Sequence, residues 1–211
     1  MPDSPILLDA ARVRQKLSGT RMPADPLAVD LRDIGQRLPA ALLENLGPAL
    51  RPAGVLIPLI EHAGALSVLL TERAADLRHH AGQVSFPGGG MEAQDTDIRA
   101  TALREAWEEV GIHPDAVEIA GFLEPTPTVT GFAVTPVVGL VAPTFELKVD
   151  PLEVARAFEV PLEFLMDARN EVHSERDFGG IRVPVVSFHY GAHRIWGATA
   201  GILISLRRLL L

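Results

Sequence analysis

Cysteine is absent from the 211 residues, which excludes a disulfide framework, a thiolate metal site and a cysteine nucleophile. Any chemistry must use oxygen and imidazole donors. Long apolar runs are missing too. Nothing approaches the ~18 uninterrupted apolar residues of a spanning helix, although the mean hydropathy is mildly positive at +0.20. The run from Ile195 to Leu211 is broken by Arg207 and Arg208, so it reads as a packed amphipathic helix rather than a membrane segment. The start, MPDSPILLDAARVRQKL, has no basic stretch ahead of an apolar one and carries Asp3 and Asp9. It predicts no secretory or transit peptide, and with it a soluble cytoplasmic protein. Lysine is confined to Lys16 and Lys148, which reflects coding bias rather than mechanism. Positive charge is in deficit: 19 Lys and Arg against 27 Asp and Glu give a net charge of −8. That balance argues against a nucleic-acid partner, because phosphate neutralisation supplies most non-specific affinity.

What is present is the composition of a packed globular chain, 47% hydrophobic and 22% charged. Residues 1–50 alternate short helical patterns with Pro and Gly, and predict a helical extension with helices over Ile6 to Leu17 and Leu31 to Leu46. The period then changes. AGVLIPLI and ALSVLLTER flank a His62-Ala63-Gly64 turn and read as a hairpin. A long loop from Ala74 to about Asp95 is dense in His, Gly and Pro. A helix follows over Asp97 to Val110, with Gly111 placed to stop it. Strands are expected at Val117–Leu123, Phe132–Val141 and Leu152–Val160, the last leading through Pro161 into a short helix ending near Asp167. A final hairpin over Arg182–His189 and Arg194–Ile195 and a helix from Ala198 close the chain. There is no internal repeat. The expectation is an α/β domain over 51–211, its sheet covered by helices, with the extension 1–50 packed against it.

The most informative segment is TALREAWEEVGI, residues 101–112. At about 100° per residue, Glu105, Glu108 and Glu109 share one arc, while Leu103, Ala106 and Val110 lie on the far side to be buried. Like charges at i, i+4 cost an isolated helix roughly 0.2–0.5 kcal/mol per pair, a penalty that bound divalent cations would reverse. Oxygen donors select hard ions, Mg²⁺ or Mn²⁺. A solvated face of surface glutamates has the same pattern and is commoner among sequences in general. The context speaks for the site: Arg104 can pair with Glu108 at i, i+4, and the run Phe86-Pro87-Gly88-Gly89-Gly90 can bring backbone close to a ligand.

These residues resemble the Nudix box. Arg104, Glu105, Ala106, Glu108, Glu109, Gly111 and Ile112 match its second half. In the first half, counting from Gly89 places the expected acid at Asp95, with one extra residue before Arg104. That expansion is similar to the coenzyme A diphosphatase branch of the Nudix hydrolases. The segment LLTERAADLRHHAGQVSFPGG, residues 69–89, resembles the stretch this branch carries ahead of its box. Gly90 departs from it, since relatives tend to have Lys or Arg there. TGFAVTPVVG and IWGATAGIL also look like family sequence.

The resemblance implies a Nudix fold, a mixed β-sheet between helices. It also implies hydrolysis of the coenzyme A diphosphate to 3′,5′-ADP and 4′-phosphopantetheine with Mg²⁺ or Mn²⁺. Glu105 and Glu109 are the first candidate ligands, Glu108 the third, and the Gly89 carbonyl completes the set by family analogy. Glu105 or a carboxylate outside the helix is the general base, and the residues do not decide between them. Arg73 and Arg78 suit phosphate oxygens but read equally as surface arginines. His80 is a proton shuttle, a ligand contact or a structural loop histidine. Gln83 and Ser85 are candidate substrate contacts whose other reading is to position the loop. Trp107 and Trp196 are expected to pack in the core rather than stack on adenine, and Glu153 and Glu159 to be solvated or strand-end carboxylates rather than extra ligands. Two alternatives stand beside the coenzyme A reading: hydrolysis of another diphosphate such as ADP-ribose, and a catalytically silent ligand-binding module. The extension 1–50 suits equally a cover over substrate or a homodimer interface.

Overall fold

The structure is a computed structural model that describes residues 8–29, 50–74, 82–142, 144–178 and 180–211. The helix expected over Leu31 to Leu46 lies outside the described residues, as do Arg78 and His80. The first helix, α1, spans Ala10–Leu17. It begins later than the sequence pattern suggests because Asp9 caps it, its carboxylate accepting from the Arg12 N–H at 2.8 Å. Val13 and Leu17 of α1 are buried in the same core as the sheet.

The main sheet is built on the expected hairpin, β1 over Arg51–His62 and β2 over Ala65–Arg73. The two strands pair only near the turn, from Leu59↔Val68 to His62↔Ala65. Beyond that they splay, and the fork is filled by two short strands from the segment expected to be a loop. These are β3 at Val84–Ser85, which pairs with β2, and β4 at Gly88–Gly90, which pairs with β1. Alternation could not signal strands this short in a glycine-rich stretch.

On the far side of β1 the helix α2, Ile98–Val110, crosses the sheet. Asp97 caps its start, accepting from the Ala100 N–H at 2.8 Å, and Gly111 ends it in the left-handed region at φ 76°. The approach is close: a Cβ on Gly54 of β1 would lie 2.6 Å from the Ile98 carbonyl. The strand β5, Val117–Phe122, and the short β6, Thr126–Pro127, pair antiparallel with β7, Phe132–Val141. β7 runs parallel to β1 from Arg51↔Phe132 to Ile60↔Val141. The sheet is therefore mixed, as expected. β8, Val154–Pro161, covers the outer edge of β2 and leads into the short helix α3, Leu162–Met166.

A second sheet of three antiparallel strands follows: β9 at Glu171–Phe178, β10 at Ile181–Tyr190 and β11 at His193–Trp196. β9 escaped the sequence reading because EVHSERDF is a charged edge strand, exposed over most of its length, with no buried face to set a period. The chain closes with α4, Ala198–Leu210. Helices thus cover both faces of the main sheet. Leu56, Ile60 and Val137 pack under Ala106 and Val110 of α2, while Ile57, Leu59 and Val138 share a core with α1 and α4. Full burial of Val110 and Ile112 contributes roughly 1.5–3 kcal/mol each and fixes which side of α2 faces outward. No helix among the described residues is long and apolar enough to cross a membrane.

Candidate active site

The acidic face of α2 lies against the glycine strand β4. A Cβ on Gly89 would fall 2.5–2.8 Å from the carboxylate atoms of Glu105, so only glycine lets the backbone approach so closely. The neighbouring Gly88 N–H donates to Glu109 Oε2 at 3.3 Å. The three glutamates share one arc as expected, but the fork divides them: Glu109 is 2% exposed, while Glu108 at the rim is 56% exposed.

Arg104 organises one side of this face. It donates to both carboxylate oxygens of Asp95, at 2.9 and 3.0 Å, to Glu105 at 3.0 Å, to Glu108 at 2.9 Å and to the Gly90 carbonyl at 3.2 Å. The expected i, i+4 pair with Glu108 is present, and Asp95 is the anchor that spacing alone did not assign a role. Its signal was an acid displaced by one residue from the box pattern. The hydrogen bonds from Arg104 hold the Asp95 carboxyl down at about 2, against its own burial, and the Arg104 guanidinium is raised in turn.

The other side is short of positive charge. Burial pushes Glu109 up to about 8; Arg73 opposes the shift and the Glu105 charge adds to it. Arg73 of β2 stands 3.7 Å from Glu109 Oε1. Burial also raises Glu105, with Arg104 opposing. Glu153 contributes further negative potential at both carboxylates, whereas Glu159 is engaged elsewhere with His62 and Ser67. Among the described residues no three acidic or histidine side chains converge as a ready-made cage; Arg104 bonds Glu105, and Arg73 stands off from Glu109. The donor set of carboxylates and backbone carbonyl, with one buried carboxylate only partly offset by Arg73, fits a hard divalent cation.

Of the loop residues, Gln83 accepts the Arg73 N–H through its carbonyl at 3.0 Å, and the Ser85 hydroxyl lies 3.2 Å from Thr71 Oγ1. Both contacts brace β3 against β2. Neither tryptophan is a core residue: Trp107 is 53% exposed, edge-on to His113, and Trp196 is half-buried with the Arg176 guanidinium 4.2 Å over its ring. Two clefts, one under Arg14 and Glu118 and one beside Trp107 and Lys148, lie away from Glu105 and Glu109.

Comparison with known proteins identifies the family. Residues 50–176 match the family profile described as NUDIX domain. The chain belongs to the Nudix hydrolase family. It is 45% identical over 157 residues to a protein of Citrobacter koseri named "Uncharacterized Nudix hydrolase NudL", covering 74% of this chain and 81% of that one. A protein of the same name from Pectobacterium atrosepticum is 43% identical over 185 residues, covering 86% and 95%. Among solved structures, a MutT/nudix family protein from Enterococcus faecalis superposes with a TM-score of 0.51 at 16% identity, covering 85% of this chain and 73% of that one. That likeness speaks to the Nudix fold alone. The chain is an enzyme of a family that uses divalent metal ions.

Proposed function

We propose that this Nudix hydrolase cleaves the diphosphate bond of coenzyme A or its derivatives, releasing 3′,5′-ADP and the (acyl-)4′-phosphopantetheine half, with Mg²⁺ or Mn²⁺ bound. The observation that carries the reading is the placement of the described parts of residues 69–89. The part on β2 supplies Arg73 and the part on β3 and β4 supplies Gly88 and Gly89, so the segment resembling the coenzyme A branch borders Glu105 and Glu109.

Glu105, Glu109 and the Gly89 carbonyl are the groups that would hold a divalent ion, with Glu108 at the rim. Such an ion supplies neutralisation of the anionic diphosphate and lowers the pKa of a bound water. The chain's own groups do the rest. Arg104, fixed by Asp95, positions Glu105 against Gly89. Arg73 sets a guanidinium beside Glu109, where it offsets the charge of an approaching phosphate. Gln83 and Ser85 brace β3, the strand just ahead of the glycines, against β2.

Mass analysis of the products formed from coenzyme A, an acyl derivative and ADP-ribose in Mg²⁺ or Mn²⁺ tests the proposal. The expected result is 3′,5′-ADP from the first two. Turnover of ADP-ribose with coenzyme A untouched would move the substrate to another diphosphate. Binding without turnover of any of them would favour a silent module.

A further inference from the structure

The strand β4 has two sides. Gly89 turns toward α2 and Glu105. The next residue, Gly90, turns to the opposite face, where a Cβ would lie 3.6 Å from Cε1 of Phe132. Over that ring, 4.3 Å from its centroid, sits the guanidinium of Arg51. The contacts are contiguous: Glu105 against Gly89, Gly90 against Phe132, Phe132 under Arg51. Strand register fixes them, since β1 pairs Ala53 with Gly90 and Arg51 with Phe132.

Arg51 differs from the other two arginines of this region. Arg104 is bound to Asp95, Glu105 and Glu108, and Arg73 faces Glu109. Arg51 is exposed and pairs with no carboxylate among the described residues. Its platform is rigid. The Phe132 N–H donates to Thr128 Oγ1 at 3.1 Å, the Thr128 N–H donates to the Phe132 carbonyl at 2.8 Å, and the Arg51 N–H donates to the Gly131 carbonyl at 3.0 Å. Stacking on an aromatic ring pre-orders a guanidinium for a planar fork onto an anion. In a chain of net charge −8, a guanidinium ordered on a ring, with no carboxylate partner among the described residues and reached from Gly89 through the next strand residue, is a place for a substrate anion.

That anion is not the diphosphate, which belongs on the Gly89 side with Glu105 and Glu109. The next anionic group of coenzyme A is the 3′-phosphate, one ribose away. We propose that Arg51, held on Phe132, binds this 3′-phosphate and so separates coenzyme A from its dephospho form. The inference rests on the coenzyme A reading above.

The test is steady-state kinetics of the wild type and Arg51→Gln with coenzyme A and dephospho-coenzyme A. It is joined by calorimetric binding of adenosine 3′,5′-bisphosphate and of adenosine 5′-monophosphate. Arg51→Gln is expected to raise KM for coenzyme A about tenfold to a hundredfold, the range of a charged hydrogen bond. It should leave kcat and both dephospho parameters unchanged. Bisphosphate binding should weaken likewise, with the monophosphate unaffected. Phe132→Leu should give a smaller effect of the same selectivity, with circular dichroism confirming that both variants fold. Equal effects on the two substrates, or none, would overturn the assignment. If the wild type cleaves neither substrate, the coenzyme A reading fails and the binding arm decides. A bisphosphate preference that Arg51→Gln removes supports the site, and equal binding of the two nucleotides overturns it.

Discussion

Arg104 and Arg73 both meet the acidic face of α2, and they meet it differently. Arg104 spreads its donors over three carboxylates and a carbonyl at 2.9–3.2 Å. Arg73 stands off at 3.7 Å from a carboxylate that is almost wholly buried. The Arg104 side is electrostatically satisfied before anything binds and acts as scaffold. The Glu109 side carries a buried group whose ionisation Arg73 and the Gly88 N–H offset only in part, and it gains most from an added cation. One helix face therefore holds a fixed half and a responsive half.

The largest contrast should come from mutating one residue on each side. Glu109→Gln removes the proposed ligand from the responsive half. It should lower metal-dependent kcat by at least about a hundredfold while the thermal midpoint stays level or rises. Near wild-type turnover would remove Glu109 from the site. Asp95→Ala attacks the scaffold instead. It should cost about 2 kcal/mol in denaturant unfolding, since it removes hydrogen bonds between charged groups, and lower kcat about tenfold by freeing Arg104 and Glu105. A loss of activity without loss of stability would separate the two halves less sharply than the geometry implies.

The halves should also titrate in opposite senses. Asp95 lies near 2 in the fold against an ordinary 3.8, so its contribution is full above about 4 and is lost as pH falls toward 2. Glu109 lies near 8 against an ordinary 4.5. Across that window the folded chain keeps a proton that the unfolded chain has released. In metal-free protein this group lowers stability as pH rises from about 4.5 to 8. Unfolding free energies measured across pH should show that decline, and Glu109→Gln should remove it. The smallest effect belongs to Trp107→Ala, which touches neither half. Stability within about 0.5 kcal/mol and unchanged turnover are expected in denaturant and kinetic assays, and a large loss would extend the site around α2.

Much of this was legible in the sequence because periodic patterns report periodic structure. The hairpin, α2 with its Gly111 stop, and β7 follow from apolar spacing and turn residues. The fork does not, since β3 and β4 are too short and too rich in glycine to carry a period. With the fork hidden, the wheel of α2 could place Glu105, Glu108 and Glu109 on one arc but not say that β4 would bury Glu109 and leave Glu108 in solvent. The same limit applies to Asp95 and Arg51, whose neighbours come from strand register and loop closure rather than from helical spacing.

The central claim is that the responsive half is built around Glu109 to take a divalent cation. Calorimetric titration of Mn²⁺ into the wild type, Glu109→Gln and Glu108→Gln tests it most directly. The account predicts that Glu109→Gln weakens binding at least about tenfold and that Glu108→Gln, at the exposed rim, weakens it less. Wild-type affinity in Glu109→Gln would contradict it.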